Sequence, residues 1–227
     1  MQFPESSPLT CEPVMKRAIL TLTTLAAITA LCGGCGGRLD DKFATAPRME
    51  RGLTIVLPGI EGQSHLNRGI RNGLVDGDVD TAIEIHDWTL GAGMFLVNQI
   101  SDARARRKGE DLAGYIMAYK VLYPGRPVFL VAHSGGCAVA AFAAEALPAN
   151  ESISGIVLLG PSISPTYDMT DALAHVDGKV INFYSPKDRG FLGVATTIFG
   201  TVDREHGSAA GRVGFRQPKG GDEFTEA

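Results

Sequence analysis

Cysteine is scarce in this 227-residue chain and poorly placed for cross-linking: Cys11, Cys32 and Cys35 fall in the first 35 residues, which leaves Cys137 alone in the remainder. An internal disulfide framework is thereby excluded, and Cys137 reads as a small buried helix residue. Basic charge is also in deficit, with 21 Lys and Arg against 25 Asp and Glu, a net charge of −4. Setting the first 35 residues aside leaves 19 against 23 and the same −4. Nucleic-acid binding needs a basic footprint, so it drops out as a function class. There is no internal repeat, and no cluster of histidines and acids has metal-ligand spacing. The apolar run AILTLTTLAAITAL is 14 residues long, short of the roughly 20 that a spanning helix requires. What is present, 44% hydrophobic and 20% charged residues, suits one globular domain with a sizeable core and is too short for two comfortable ones.

The first 35 residues differ from everything after them. Residues 1–14, MQFPESSPLTCEPV, are polar and proline-rich; Met15-Lys16-Arg17 then opens the 14-residue apolar run, which ends in CGGCGG. A positive start, a short apolar stretch and small residues before a cysteine resemble a bacterial lipoprotein signal peptide over 15–35. The resemblance implies Met15 as the true start, lipidation at Cys35, and a cell-envelope protein held to the membrane through a lipid anchor. Cys32 occupies the place of the usual aliphatic residue before Cys35, and is itself a worse lipidation site because bulky Leu31 precedes it. An ordinary secretory signal or an unprocessed anchor are the competing readings. Residues 36–51 carry turn formers and charge without periodicity and read as a tether. Order is expected to begin near Gly52, with a domain over 52–216 and a polar tail over 217–227.

Within the domain, short apolar runs alternate with helical patterns. LTIVL (53–57), TAIEI (81–85), VFLVA (128–132), GIVLL (155–159) and VINFY (180–184) are strand candidates, most of them too continuously apolar for a sheet with one wet face. HLNRGIRNGLVD, the long stretch from Val97 to Tyr123, CAVAAFAAEAL and MTDALAHV carry helical patterns. The alternation predicts an α/β fold, a doubly wound, mostly parallel sheet with helices on both faces. Functional loops then gather at the carboxyl ends of the strands. In the long helix, Ala103 to Lys108 (ARARRK) is followed by Glu110 and Asp111, so it reads as a solvated face with short-range charge pairs. Trp88 reads as a packing residue at a loop edge.

The stretch VFLVAHSGG at 128–136 carries the chemistry. A strand, then a small residue, any residue, serine, any residue and glycine, then an alanine-rich helix is the sequence form of a nucleophile elbow, here Ala132-His133-Ser134-Gly135-Gly136 with alanine in place of the usual first glycine. A second element, LPGIEG at 57–62, follows the first core strand directly. On these two motifs the segment from Gly52 to about Gly214 resembles a small member of the α/β-hydrolase superfamily, of the serine esterase or lipase type, with little or no lid. The resemblance implies an oxyanion hole from the backbone N–H groups of Ile60 and Gly135. It also implies the chain order serine, acid, histidine: Ser134 as nucleophile, Asp188 in the loop after a late strand as the acid, and His206 as the base. Asp203, Asp177 and Asp168 are fallback acids. The 18 residues between Asp188 and His206 are few for an intervening strand and helix, which is the departure from the family pattern. His65, His86, His133 and His175 are given no direct catalytic role.

These residues together imply hydrolysis of a carboxylic ester or related acyl bond through a Ser-His-Asp triad, with no cofactor and no metal. The substrate would be an ester or acyl compound, lipid included. The competing readings are an acyltransferase and a catalytically silent envelope binding module of the same fold, since function resides in sites rather than folds.

Overall fold

Strands that are apolar on both faces can be buried only between two layers of helix, and the chain supplies those layers as it winds. The structure is a computed structural model that describes residues 42–90, 102–187 and 208–216. Five strands, β1 (Leu53–Leu57), β2 (Ala82–Ile85), β3 (Val128–His133), β4 (Ile153–Leu159) and β5 (Val176–Phe183), form one sheet in the order β2-β1-β3-β4-β5. Every adjacent pair is parallel. The order reverses between β1 and β3, where crossovers lead to opposite sides of the sheet and leave a crevice outside the carboxyl ends of the strands.

The larger part of the core lies on one face. There Leu53, Ile55 and Leu57 of β1 and Val128 and Leu130 of β3 pack with α3 (Asp102–Leu122) and α4 (Gly136–Glu145). On the other face Val56, Ile83 and Val131 pack with Ile70, Leu74 and Val75 of α2 (His65–Asp76). The expected α/β sheet with helices on both faces is therefore present. α4 is buried from Gly136 to Ala144, and the small side chains of its alanines let it lie close to the sheet. Cys137 is fully buried there, its Sγ directed at Ala132 O at 3.3 Å, and burial pushes its thiol pKa far up. It is a structural residue.

The long helix departs from a simple solvated face. Arg106 pairs with Asp102 at 3.2 Å and Lys108 with Asp111 at 2.6 Å, yet Arg106 also lies 4.2 Å over the Phe142 ring and Arg104 donates to Trp88 O at 2.9 Å. Long cationic stems cover apolar surface while their heads find oxygen.

Order does not wait for Gly52. A helical turn, α1 (Ala46–Met49), is docked on the amino edge of the sheet. Arg48 donates to the carbonyls of Thr81 and Val79, Arg51 to that of Asp80, and Ile83 N–H to Phe43 O. Phe43 is buried under the Arg71 guanidinium, 3.8 Å away, and Tyr119 Oη donates to Met49 O. Residues 42–51, expected as the end of a tether, thus cap the strand starts. At the other end of the chain, α6 (Ala210–Val213) is bound to the loop after β4. A further short helix, α5 (Thr170–Ala174), precedes β5.

Candidate functional site at the sheet switch point

β1 and β3 are neighbours in the sheet and their crossovers diverge, so the turns that leave their carboxyl ends face each other across the crevice. Ser134 follows the last residue of β3 and has φ = 50°; among the described residues only it and Asp78 are non-glycine with positive φ. That conformation costs a residue with a Cβ about 1 kcal/mol. It persists because hydrogen bonds fix Ser134 from three sides. Its N–H donates to Leu159 O at 3.0 Å, and its carbonyl accepts from Cys137 N–H and from Ser162 N–H, each at 3.1 Å. The residue is only 9% exposed. Strained positions of this kind, over-determined by their surroundings, concentrate at functional sites.

The two glycines after Ser134 are demanded by proximity. A Cβ on Gly136 would collide with Pro58 O and lie 2.7 Å from Leu57 O. One on Gly135 would lie 2.8 Å from Ile60 Cγ2 and 3.7 Å from Ile60 N. The elbow and the 58–62 turn are therefore in van der Waals contact, and the backbone nitrogens of Ile60 and Gly135, the two expected oxyanion donors, belong to adjoining walls. The turn is closed by Gly62 N–H donating to Gly59 O at 3.1 Å. Trp88, 1% exposed, holds it from beneath by donating from Nε1 to Pro58 O at 2.7 Å.

On the α2 side the turn is held by Glu61. Asn67, fully buried in the first turn of α2, donates from Nδ2 to Glu61 Oε1 at 3.2 Å, to Gly62 O at 2.9 Å and to Ser64 Oγ at 2.9 Å. Glu61 Oε1 also faces His133 Nδ1 at 3.4 Å. The contact lacks hydrogen-bond alignment, and Nδ1 has no hydrogen-bond partner. Burial acts to raise the Glu61 pKa, but the contacts with His133, its own backbone and Asn67 outweigh it and leave it below its ordinary value. Neither Glu61, Asn67 nor His133 was expected to take part. The signal for Glu61 was faint: a charged residue between two glycines, in a turn where nothing in the sequence points to a partner 72 positions away.

The remaining titratable groups sort by edge. His65 is exposed at the start of α2, and His86 ends the β2 side, where burial first and the charge of Lys108 next lower its pKa. His175 and Asp177 are at the amino edge of β5, engaged with Glu151 O and Ser152 Oγ. Asp168 is exposed and accepts from Thr170 N–H ahead of α5, so Asp168 and Asp177 have structural partners of their own. Asp188, Asp203, His206 and Cys35 lie outside the described residues. The described residues on either side of 188–207 meet one another. Ser185 N–H donates to Gly211 O, Gly211 N–H to Pro161 O and Ala210 N–H to Ile163 O, so residues 185 and 209–213 are joined at the carboxyl edge. Among the described residues no group of three or more His, Cys, Asp or Glu is placed to hold a metal ion, and no helix is long and apolar enough to cross a membrane. No protein-family model and no curated protein matches this chain.

Proposed function

We propose that the protein is a serine hydrolase of the α/β-hydrolase type that cleaves a carboxylic ester or related acyl bond, with Ser134 as nucleophile, His206 as general base and Asp188 orienting it. The observation that carries this reading is the positive φ of Ser134 at a strand-to-helix junction whose two following glycines abut the β1 turn. A nucleophile elbow has this form, and its strain serves to expose the hydroxyl at the top of the sheet. The N–H groups of Ile60 and Gly135 would receive the oxyanion. Fixed donors of this kind contribute roughly 3 kcal/mol each to the transition state, because they need no reorganisation as charge develops.

Chain connectivity supports the triad. Asp188 follows directly on Lys187, a few residues beyond the carboxyl end of β5, where acids of such triads occur. His206 is four residues before Ala210, a reach of at most about 14 Å. Ala210 is bonded to Ile163, and the neighbouring Ser162 is bonded to Ser134. A neutral imidazole is the base suited to a serine hydroxyl near neutral pH. Anchoring through a lipid at Cys35 in a bacterial cell envelope completes the proposal, on the leader's resemblance to a lipoprotein signal.

The decisive experiment is labelling with a fluorophosphonate, which reports an activated serine without a guessed substrate. Modification mapped to Ser134, absent in Ser134→Ala and slowed at least ~10³-fold in His206→Ala, is expected. An unlabelled wild-type protein would instead mark a binding module that keeps the fold without the chemistry.

A further inference from the structure

The two walls of the proposed oxyanion site are held differently. Gly135 is the buried N-cap of α4. Ile60 sits in a turn packed on the core, whose first residue is held by Trp88 and whose fourth residue, Glu61, reaches out to two other elements. The Glu61 side chain folds back against the turn it belongs to: a Cβ on Gly59 would collide with its carboxylate and lie 3.1 Å from His133 Nδ1. The carboxylate thus fills the gap between the turn, the first turn of α2 and the last residue of β3.

We propose that Glu61 is the positioning residue of the oxyanion turn, its carboxylate seated between Asn67 and His133 so that the Ile60 N–H is held in register with Ser134. This rests on the hydrolase reading and deepens it. His133 is adjacent to the nucleophile in sequence and is the last residue of β3, so a contact from Glu61 to His133 ties the donor wall to the nucleophile's own strand. Asn67 supplies the other side, since one amide group bonds the carboxylate and the Gly62 carbonyl together. Two contacts, one on each neighbouring element, thus bear on the tilt of the turn.

The role is that of a group acting through another, so loss should appear in rate and not in binding. A donor that matters only when the oxyanion forms changes kcat and leaves KM nearly unmoved. The experiment measures the fluorophosphonate reaction rate, kcat and KM for p-nitrophenyl acetate, and hydrogen exchange of the 59–62 amides. Wild type, Glu61→Ala, Glu61→Gln, His133→Ala, the Glu61→Ala/His133→Ala double variant and Gly59→Ala are compared. Glu61→Ala should slow phosphonylation and kcat about 10- to 100-fold, the scale of a small displacement of a catalytic group, with Ile60 exchange accelerated and that of β1 and β3 unchanged. Glu61→Gln, which keeps the Asn67 bond, should recover part of the rate. The double variant should be no slower than Glu61→Ala, because the pair acts as a unit. Gly59→Ala, which displaces the carboxylate, should resemble Glu61→Ala although Glu61 is present. A wild-type protein that resists labelling would sink the hydrolase reading, whereas 59–62 exchange unchanged in Glu61→Ala, or additive losses in the double variant, would overturn the positioning role whatever the labelling result.

Discussion

The central strands β1 and β3 and the edge strand β5 belong to one sheet but are built to different tolerances. β1 is buried at every position, and β3 is buried at four of six. β5 has partly or fully exposed residues throughout, with Ile181 at 45% and Phe183 at 58% exposure. Its register runs on from the centre, with Val157 beside Ile181 and Leu159 beside Phe183. A strand flanked on both sides and both faces has its position fixed by many contacts at once. That fixity is what allows glycine-only clearances between the turns leaving β1 and β3. At the edge the same backbone pattern carries no such demand, and the candidate site sits accordingly on the central pair.

The difference can be broken most severely from the centre. Leu130→Ala in β3, at a fully buried position, should cost about 4 kcal/mol of unfolding free energy in denaturant titration. Gly136→Ala should cost about 3 kcal/mol, because the added methyl meets backbone carbonyls that cannot turn aside. It should also abolish labelling at Ser134 even where the protein remains folded, since the elbow and the turn would be driven apart. Ser134→Gly points the other way: relieving the strained φ should stabilise the protein by about 1 kcal/mol while eliminating the nucleophile. A destabilised Ser134→Gly protein would contradict the account of strain given above.

On the opposite edge strand, β2, lies the half-buried Glu84. Burial raises its pKa, and the hydrogen bond from Tyr115 lowers it without overcoming burial. A carboxyl whose folded pKa exceeds its unfolded value binds its proton more tightly when folded, so its contribution is favourable at low pH and turns into a penalty as pH rises through the folded pKa. Glu84→Gln should therefore raise the melting temperature near neutral pH, with the gain shrinking below pH 4.5, its ordinary pKa. The smallest effect is expected at the edge, where Ile181→Thr should change stability by no more than about 0.5 kcal/mol. A loss there approaching that of Leu130→Ala would erase the distinction between centre and edge.

How far the sequence was legible follows the same division. β1 was expected over 53–57 and lies there, because a continuous apolar run bounded by Gly52 and Pro58 leaves little choice. α2 occupies the expected 65–76, between the Ser64 cap, whose Oγ accepts from Asn67 N–H, and Gly77. β5 was expected to start at Val180 and starts at Val176, since Asp177 to Lys179 are exposed edge residues that no hydrophobic pattern marks. The strand-to-helix junction at 133–136 was legible because an apolar run gives way there to glycines and an alanine-rich helix, whereas the clearances that require those glycines come from Leu57, Pro58 and Ile60. Residues 42–51 were not, because what fixes them is mostly backbone carbonyls elsewhere meeting two arginines. The Glu61–His133 contact was hidden for a similar reason: it depends on two strands being neighbours, which topology decides and local composition does not record.

The docked segment before β1 has a practical consequence for where the protein can be shortened. A recombinant version beginning at Lys42 keeps the Phe43 ring under Arg71 and the arginine contacts to the loop before β2. One trimmed to Gly52 uncovers the starts of β1 and β2 together, removes the arginine donors from the carbonyls of Val79, Asp80 and Thr81, and exposes apolar surface that invites aggregation.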